Sequence, residues 1–333
     1  MDHPESIITQ LIHEEHKSKW IARRNHNVKC FTEDEIKRFT DNYKTLLGRG
    51  AFGEVYQGVL EDKRMVAVKK YICNVKENFA KELTVHREIN HKNVVRLVGY
   101  CVDENALMVV MEYIPKGNLS DILHRDSIPI ALDTRLRIAI ECAEALGYMH
   151  SQMYTQVIHG DIKPANILLD DGLSAKISDF GISRLVNTKS SNILLTGTHD
   201  ACVSEHGLMT LGVFSNASGY RAPEVTDNRS VSQKADVYSF GILMLEVLTR
   251  KDPAKSTQNE EGLDLARWVC SITPEEWRAE VFDVELLARG QKDGKEECMV
   301  RLMQLGLKCC SQDADSRPTM SDVVQRIEEI GQS

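Results

Sequence analysis

One short string constrains this chain more than any other part of it. The string is His159-Gly160-Asp161-Ile162-Lys163-Pro164-Ala165-Asn166, and Asp179-Phe180-Gly181 follows thirteen residues after its end. It combines a carboxylate that can accept a proton, a lysine that can contact a phosphate, and two side chains that can hold magnesium. Phosphoryl transfer depends mainly on in-line positioning and on neutralisation of charge on the phosphate oxygens. A lone Asp-Phe-Gly would indicate only a turn, whereas the combined string points to phosphoryl transfer.

Composition narrows the class of protein. The 333 residues suffice for one large domain or for two lobes. A net charge of −8 argues against binding to nucleic acid or to an anionic membrane. Nine cysteines without a Cys-x-x-Cys pair favour a reducing compartment over a disulfide framework. The sequence shows neither a signal-peptide pattern nor an apolar run long enough to span a bilayer, so we expect a cytoplasmic protein.

Strand patterns precede helical patterns along the chain. Short apolar runs predict strands at Val55–Val59, Met65–Lys69, Leu97–Val102 and Met108–Met111, and a helix falls among them at Asn78–Ile89. The later part is mainly helical, with an amphipathic run at Ala131–Ser151 and an apolar one at Ala235–Thr249. This order predicts an α+β fold with two lobes, one small and strand-rich with a single important helix, the other larger and mainly helical. Residues 1–42 read as a polar arm in which Phe31-Thr32 marks a helix start.

A glycine-rich segment and a lysine precede the central string. Gly48-Arg49-Gly50-Ala51-Phe52-Gly53 would let the backbone lie close to phosphates, although a plain hairpin explains this pattern equally well when it is taken alone. A strand rather than a helix follows the glycines, which disfavours a dinucleotide-binding fold. Lys69 ends the next strand, and Glu82 on the predicted helix could pair with it and direct its ammonium group at phosphates. Glu88 is the competing partner, and a lysine or a glutamate in such a position is usually an ordinary surface residue.

In this order, these elements resemble the eukaryotic protein kinase family over residues 43–327, with lobes at 43–113 and 114–327 and a tail at 328–333. Further family landmarks are Ala222-Pro223-Glu224, Asp236-Val237-Tyr238-Ser239-Phe240-Gly241 and Arg317-Pro318. Two other strings, Asn93-Val94-Val95-Arg96-Leu97 and Gly117-Asn118-Leu119, resemble plant receptor-like kinases, nearest to the wall-associated group. The absence of extracellular and membrane parts resembles the receptor-like cytoplasmic kinases.

The resemblance implies ATP and Mg²⁺, or Mn²⁺, held in a cleft between the lobes. It implies that Asp161 is the catalytic base, that Lys163 contacts the γ-phosphate, and that Lys69, paired with Glu82, contacts the α- and β-phosphates. It assigns the metal to Asn166 and Asp179. The other implied nucleotide-binding residues are Gly48, Arg49, Gly50, Ala51, Phe52, Gly53, Val55, Ala67, Met111, Glu112, Ile114 and Leu168.

The resemblance also bears on specificity and on stability. A lysine two residues after the catalytic aspartate is the pattern of serine/threonine kinases, which implies protein hydroxyl groups as substrates. Among these residues Met111 would guard the back of the adenine pocket, and Glu112–Ile114 would form the hinge. The family further implies a buried ion pair between Glu224 and Arg317.

Two features depart from the family pattern. Gly160 stands where most members have an arginine that binds a phosphorylated activation-loop residue, so we expect activity that does not depend on that phosphorylation. The interval from Asp179 to Glu224 is also long, and removal of residues 199–217 would restore a family-like sequence. We therefore expect an insertion there, which is either genuine or a retained intron. It would protrude harmlessly, or it would disturb the peptide-docking segment that follows it.

The sequence is compatible with two hypotheses of function. The first is an active serine/threonine kinase that phosphorylates proteins in plant receptor-linked signalling, in defence or at the cell wall. The second is a nucleotide-binding scaffold or weak pseudokinase whose activation segment is perturbed by the insertion. A role as an allosteric partner of a membrane receptor kinase, with recruitment to the plasma membrane through that partner, is compatible with either.

Overall fold

The computed structural model of this chain describes residues 28–72, 76–103, 106–125, 130–151, 155–187, 218–226, 231–253, 264–287 and 294–332. These residues form two compact units. Unit 1 contains the described residues up to Asn90 together with Val95–Tyr113, and unit 2 contains His91–Val94 and the described part of Ile114–Ser333. The predicted insertion at residues 199–217 lies outside the described residues.

Unit 1 is built on a six-stranded sheet with the order β1-β5-β6-β4-β3-β2. Its strands are β1 (Lys29–Cys30), β2 (Leu46–Gly50), β3 (Gly53–Val59), β4 (Met65–Tyr71), β5 (Leu97–Asp103) and β6 (Ala106–Glu112). β1 runs parallel to β5, and the other neighbouring strands are antiparallel. Because successive strand residues alternate between faces, Val66, Val68, Met108 and Val110 form a core on one face. The four strands predicted from apolar runs are therefore confirmed.

Two helices accompany this sheet, α1 (Glu33–Phe39) and α2 (Lys76–Glu88). The helix start predicted at Thr32 is confirmed: its side chain accepts a hydrogen bond from the Glu35 N–H, and the Glu35 carboxylate accepts one from the Thr32 N–H. Phe31 and Ile36 are buried in the core of unit 1. Residues 29–39, which the sequence assigns to a polar arm, thus supply a strand, a helix and core side chains to this unit.

Unit 2 is mainly helical. Its helices are α3 (Leu119–His124), α4 (Leu132–Ser151), α5 (Gln233–Thr249), α6 (Leu265–Ser271), α7 (Trp277–Glu280), α8 (Val284–Leu287), α9 (Gly294–Cys309) and α10 (Met320–Gly331). Two short antiparallel sheets accompany them, one of β7 (Thr155–Ile158) with β10 (Arg184–Asn187), the other of β8 (Ile167–Leu169) with β9 (Ala175–Ile177). α5 is buried from Ala235 to Thr249, as its largely apolar sequence predicts. The α+β fold class is confirmed.

Within the described ranges, no helix is both long enough and apolar enough to cross a membrane.

Candidate active site

The glycine-rich segment forms a tight hairpin in unit 1, because β2 ends at Gly50 and β3 begins at Gly53. A Cβ atom at Gly48 would meet no described atom within 4 Å, and one at Gly50 would meet only a carbonyl oxygen at 3.9 Å. Protein packing therefore does not require glycine at these two positions, and the missing side chains leave space beside the hairpin for a ligand. A Cβ at Gly53 would lie 2.0 Å from the Lys70 backbone oxygen, so the close approach of β3 to β4 requires that glycine.

The remaining residues of the hairpin are accessible. Arg49 is largely exposed and forms an ion pair of 2.9 Å with Glu54. Ala51 and Phe52 form the two-residue turn between the strands, and the Phe52 ring centroid lies 5.9 Å from Lys69 Nζ. The hairpin tip is thus held by one exposed ion pair and by the strand ladder behind it.

One face of the sheet carries four of the predicted nucleotide-binding residues. Val55 on β3 is the cross-strand partner of Lys69 on β4, and Ala67 on β4 is the partner of Met111 on β6. Cross-strand partners share a face, as do strand residues two positions apart, so all four side chains lie on the face opposite the Val66–Val68 core. At the end of β6, the Glu112 N–H donates to the Arg96 carbonyl oxygen at 3.0 Å.

Lys69 and Glu82 form a buried ion pair in unit 1. Lys69 Nζ lies 2.7 Å from Glu82 Oε2, and the two side chains are 8% and 0% exposed. The Tyr71 hydroxyl donates to the same oxygen. Burial is the largest single influence and raises the pKa of Glu82, but the Lys69 ammonium and the neighbouring His86 together outweigh burial and lower this pKa to about 2. For His86 the sequence leaves two alternatives open, a place in the family's spine of packed side chains or an ordinary half-buried position. The residue is buried, with Nε2 3.8 Å from Glu82 Oε1.

The central string forms a compact loop in unit 2. Asp161 Oδ2 accepts two hydrogen bonds, from Lys163 Nζ at 2.7 Å and from Asn166 Nδ2 at 2.9 Å. Asn166 Nδ2 also donates to the Asp161 carbonyl oxygen at 2.8 Å. Asp161 Oδ1 accepts no hydrogen bond from any residue in the described ranges, and about a fifth of the side chain is exposed. One carboxylate oxygen is therefore fixed while the other remains available to a ligand.

The backbone of this loop is anchored to α5. Asp236 is buried, and its Oδ2 accepts hydrogen bonds from the His159 N–H at 2.8 Å and from His150 Nε2 at 2.9 Å. Its Oδ1 accepts from the Gly160 N–H at 2.8 Å. Gly160 has a φ of +82°, which costs a glycine little but would strain most other residues.

Asp179 follows the β8–β9 hairpin. Its φ is +65°, and its Oδ1 accepts a hydrogen bond from the Gly181 N–H at 3.3 Å. The next residue, Phe180, is buried against the His159 ring with 4.9 Å between ring centroids. His159 accepts the Asp161 N–H at Nδ1 and donates from Nε2 to the Ser178 carbonyl oxygen. Ring packing and hydrogen bonds thus tie the start of the loop to the segment around Asp179.

The last two predicted nucleotide-binding residues also lie in unit 2. Leu168 occupies the middle of β8, opposite Lys176, and forms an isolated bridge with Asn118. Ile114 is buried and is the first residue of the longer segment of unit 2.

The donor atoms suit a magnesium ion and a polyphosphate. Because Asn166 Nδ2 makes both donations, its Oδ1 is left as an oxygen ligand, and Asp179 supplies carboxylate oxygens of the hard type that Mg²⁺ prefers. The described residues contain no cluster of three His, Cys, Asp or Glu side chains that could hold a metal alone.

Comparison with known proteins identifies the family of this chain. The protein kinase domain matches residues 42–327. The chain belongs to the protein kinase family. Kinases of this family use ATP and a divalent metal ion in general.

Plant receptor-like kinases are among the relatives of this kinase domain. In Arabidopsis thaliana, a probable inactive receptor kinase is 42% identical over 86% of this chain and 41% of the relative. The leucine-rich repeat receptor-like protein kinase PXC1 is 37% identical over 86% of this chain and 42% of the relative. Wall-associated receptor kinase-like 5 is 35% identical over 92% of this chain and 40% of the relative. The chain therefore spans about two fifths of the length of the curated relatives it matches.

The kinase domain contains the Glu224–Arg317 ion pair that the resemblance implies. Arg317 donates from Nη1 to Glu224 Oε1 at 2.7 Å and from Nη2 to Oε2 at 2.8 Å. Arg317 is completely buried, but the Glu224 side chain is 32% exposed, so only one partner is buried. The hydrogen bonds from Arg317 lower the pKa of Glu224 and outweigh the opposing effect of burial.

Sequence reasoning missed the role of Asp236 and a second buried acid on the same helix. Glu246 is 1% exposed, accepts hydrogen bonds from His124 at 2.7 Å and from the Tyr220 hydroxyl, and has its pKa raised by burial. An acidic residue inside the apolar run from 235 to 249 was the available signal, because buried acids are nearly always hydrogen-bonded. The sequence also offers four loop hydroxyl residues as candidate autophosphorylation positions, although ordinary solvated loop residues look the same. These residues, Thr188, Ser190, Ser191 and Thr196, lie outside the described residues.

Proposed function

We propose that this chain is an active serine/threonine protein kinase that transfers the γ-phosphoryl group of ATP to protein hydroxyl groups. The observation that carries the proposal is the asymmetry of Asp161. Lys163 and Asn166 hold one of its oxygens, and the other is available to accept a proton from a substrate hydroxyl.

Each remaining role follows from the contacts of one side chain. Lys163, which already touches Asp161, can also neutralise charge on the transferred phosphate. Asn166 and Asp179 would hold the metal, whose chemistry when bound is to neutralise charge on the phosphate oxygens and to hold the triphosphate in line. Lys69 would contact the α- and β-phosphates, since its ammonium group is kept in one position by a fully buried carboxylate.

A transfer assay tests the proposal. The chain is incubated with radiolabelled ATP, Mg²⁺ and a generic protein substrate, with Asp161→Asn as the matched control. Asparagine preserves the size of the side chain but cannot accept the proton. We expect label on serine and threonine with the natural sequence, and a loss of about 10²–10⁴-fold in the variant. Equal incorporation of label by both proteins would contradict the proposed kinase activity.

The alternative is a nucleotide-binding scaffold or weak pseudokinase. It is favoured by one observation, that a relative with 42% identity carries the name of a probable inactive receptor kinase. The same assay on variants with and without residues 199–217 separates the two. A scaffold shows ATP-dependent thermal stabilisation without transfer in both forms, whereas an impaired enzyme gains transfer when the segment is deleted.

The receptor kinases among the relatives support a setting in receptor-linked signalling. We propose proteins as the substrates and a membrane receptor kinase as a partner, with cytoplasmic location and recruitment to the plasma membrane through that partner. Proximity labelling in plant cells tests this setting. An absence of receptor kinases among the labelled proteins would contradict it.

A further inference from the structure

Unit 1 contains a groove that the proposed function does not use. It encloses about 740 Å³ and is lined by α1, by the turn that joins β3 to β4, and by the start of β5. Five basic side chains and three acidic ones line it. The groove is therefore basic, on a chain whose formal net charge is −8.

Two of the basic side chains have partners within the wall of the groove. Lys29 Nζ lies 2.9 Å from Glu35 Oε1, and Arg64 Nε lies 2.7 Å from Asp62 Oδ2. These two pairs neutralise their own charges and shape the rim. They leave the excess of positive charge to the other lining residues.

That excess comes from Arg38 on α1, Lys63 in the β3–β4 turn, and Arg96 just before β5. All three are exposed, and no hydrogen bond or ion pair joins their side chains to any residue that the structure describes. Glu61 also lines the groove, and its negatively charged carboxylate is likewise without a partner among those residues. Three free cations and one free anion thus line the groove.

Apolar side chains lie between these charges. Phe31 and Val98 are buried in the sheet core below the groove, and Phe39 is half-buried beside them. Val59 is 47% exposed and is one of five exposed large apolar side chains in the described part of unit 1. Cations around an exposed apolar site match a ligand that carries both acidic and apolar groups.

We infer that this groove docks an acidic peptide segment of a partner protein, with its carboxylates on Arg38, Lys63 and Arg96 and an apolar side chain on Val59. A lipid surface fits less well, because the groove is concave and because its own carboxylates would repel a dense layer of phosphates. The chain's own residues 1–27 also fit less well, since they carry four basic side chains against four acidic ones and are not an acidic segment.

Fluorescence anisotropy tests the inference without any need for catalysis. The probe is a labelled peptide of alternating glutamate and leucine, and the comparison peptide carries lysine in place of glutamate. We expect the acidic peptide, and not the lysine peptide, to bind the full chain. The affinity for the acidic peptide should fall as salt is added.

Variants of the groove residues test the same inference. Replacing Arg38→Gln together with Arg96→Gln should weaken binding by about tenfold, since two charge-assisted contacts are lost. The control Lys76→Gln with Lys308→Gln makes the same charge change on exposed lysines outside the groove and should leave the affinity unchanged.

A second measurement locates the peptide even if the double variant is unstable. Bound peptide should slow hydrogen exchange of backbone amides in residues 33–39 and 59–65.

Three results would overturn the inference: equal affinity of the groove and control variants for the acidic peptide, equal binding of the lysine peptide, or protection from exchange elsewhere in the chain. Preferential binding to phosphatidylserine vesicles, with the same loss in the groove variant, would assign the groove to a lipid surface instead. A dimer that the groove variant dissociates would assign it to a second copy. ATP-dependent transfer is read separately, so failure here leaves the kinase assignment standing.

Discussion

Replacing either member of the Glu224–Arg317 pair should destabilise unit 2, although only Arg317 is buried. Removal of Glu224 leaves a guanidinium group with 0% exposure beside no counter-ion, which costs about 3–5 kcal/mol. Removal of Arg317 leaves Glu224 partly hydrated, which costs less. It also removes the donors to the Ser311 and Lys234 carbonyl oxygens, at 2.8 and 2.9 Å, each worth about 1–3 kcal/mol. We therefore expect similar losses from Glu224→Ala and Arg317→Ala.

Urea unfolding followed by tryptophan fluorescence measures these losses in the correct unit. Trp268 and Trp277 both belong to unit 2, and Trp277 is 3% exposed, so its emission should shift when the unit opens. The third tryptophan, Trp20, is replaced by phenylalanine in every variant so that it adds no signal. Glu224→Gln is the matched control, because it keeps the shape and one acceptor but not the charge. It should cost about 1–3 kcal/mol.

The same pair gives a pH dependence with a definite sign. Hydrogen bonds from Arg317 hold the pKa of Glu224 below its ordinary value of 4.5. Its stabilisation is then fully present above pH 4.5 and declines as the pH falls below that value. In a double-mutant cycle, the coupling between the two alanine variants should exceed about 1 kcal/mol at neutral pH and shrink in acid. Additive losses at neutral pH, or coupling that grows in acid, would refute the reasoning.

Three further predictions concern the candidate site. Gly53→Ala should lower the melting temperature, because its Cβ would clash with a backbone oxygen 2.0 Å away, whereas Gly50→Ala should leave the melting temperature unchanged and raise KM for ATP. Glu82→Gln should reduce transfer by about 10²-fold while ATP still binds, since Lys69 loses the charge that positions it. Phosphatase treatment should leave transfer within about twofold, because Gly160 offers no cation to a phosphorylated loop residue; a large loss restored by one phosphosite would contradict this.

Many helices and strands of this kinase domain can be predicted from its sequence, because local patterns of apolar residues largely determine where they form. Alternating valines before Lys69 predict β4, and the run of apolar residues after Gln233 predicts α5. The pairing of Lys69 with Glu82 is harder, because it joins residues on a strand and a helix. Motif order selects Glu82 over Glu88, but only the fold shows that the carboxylate is completely buried.

Other features could not be read from sequence because they depend on contacts between distant segments. Asp236 lies 76 residues after Gly160, and nothing local to either residue indicates their hydrogen bond. The basic groove brings together α1, a β-turn and the start of β5, and its excess of charge is invisible in a chain that is acidic overall. The contribution of residues 29–39 to the core could not be read for a similar reason, since Phe31 and Ile36 find their apolar partners on strands far along the chain.

Glycine in place of the family's arginine at position 160 leaves the anchoring of the catalytic loop unchanged. Asp236 holds the loop by two backbone N–H groups, so the anchor does not depend on any side chain at position 160. Glycine also meets the φ of +82° without the strain of about 1–2 kcal/mol that another residue would bear. Asp161 in turn is oriented by Lys163 and Asn166. We therefore expect geometry and phosphate sensing to be separable in this loop, so that glycine removes the second and leaves the first intact.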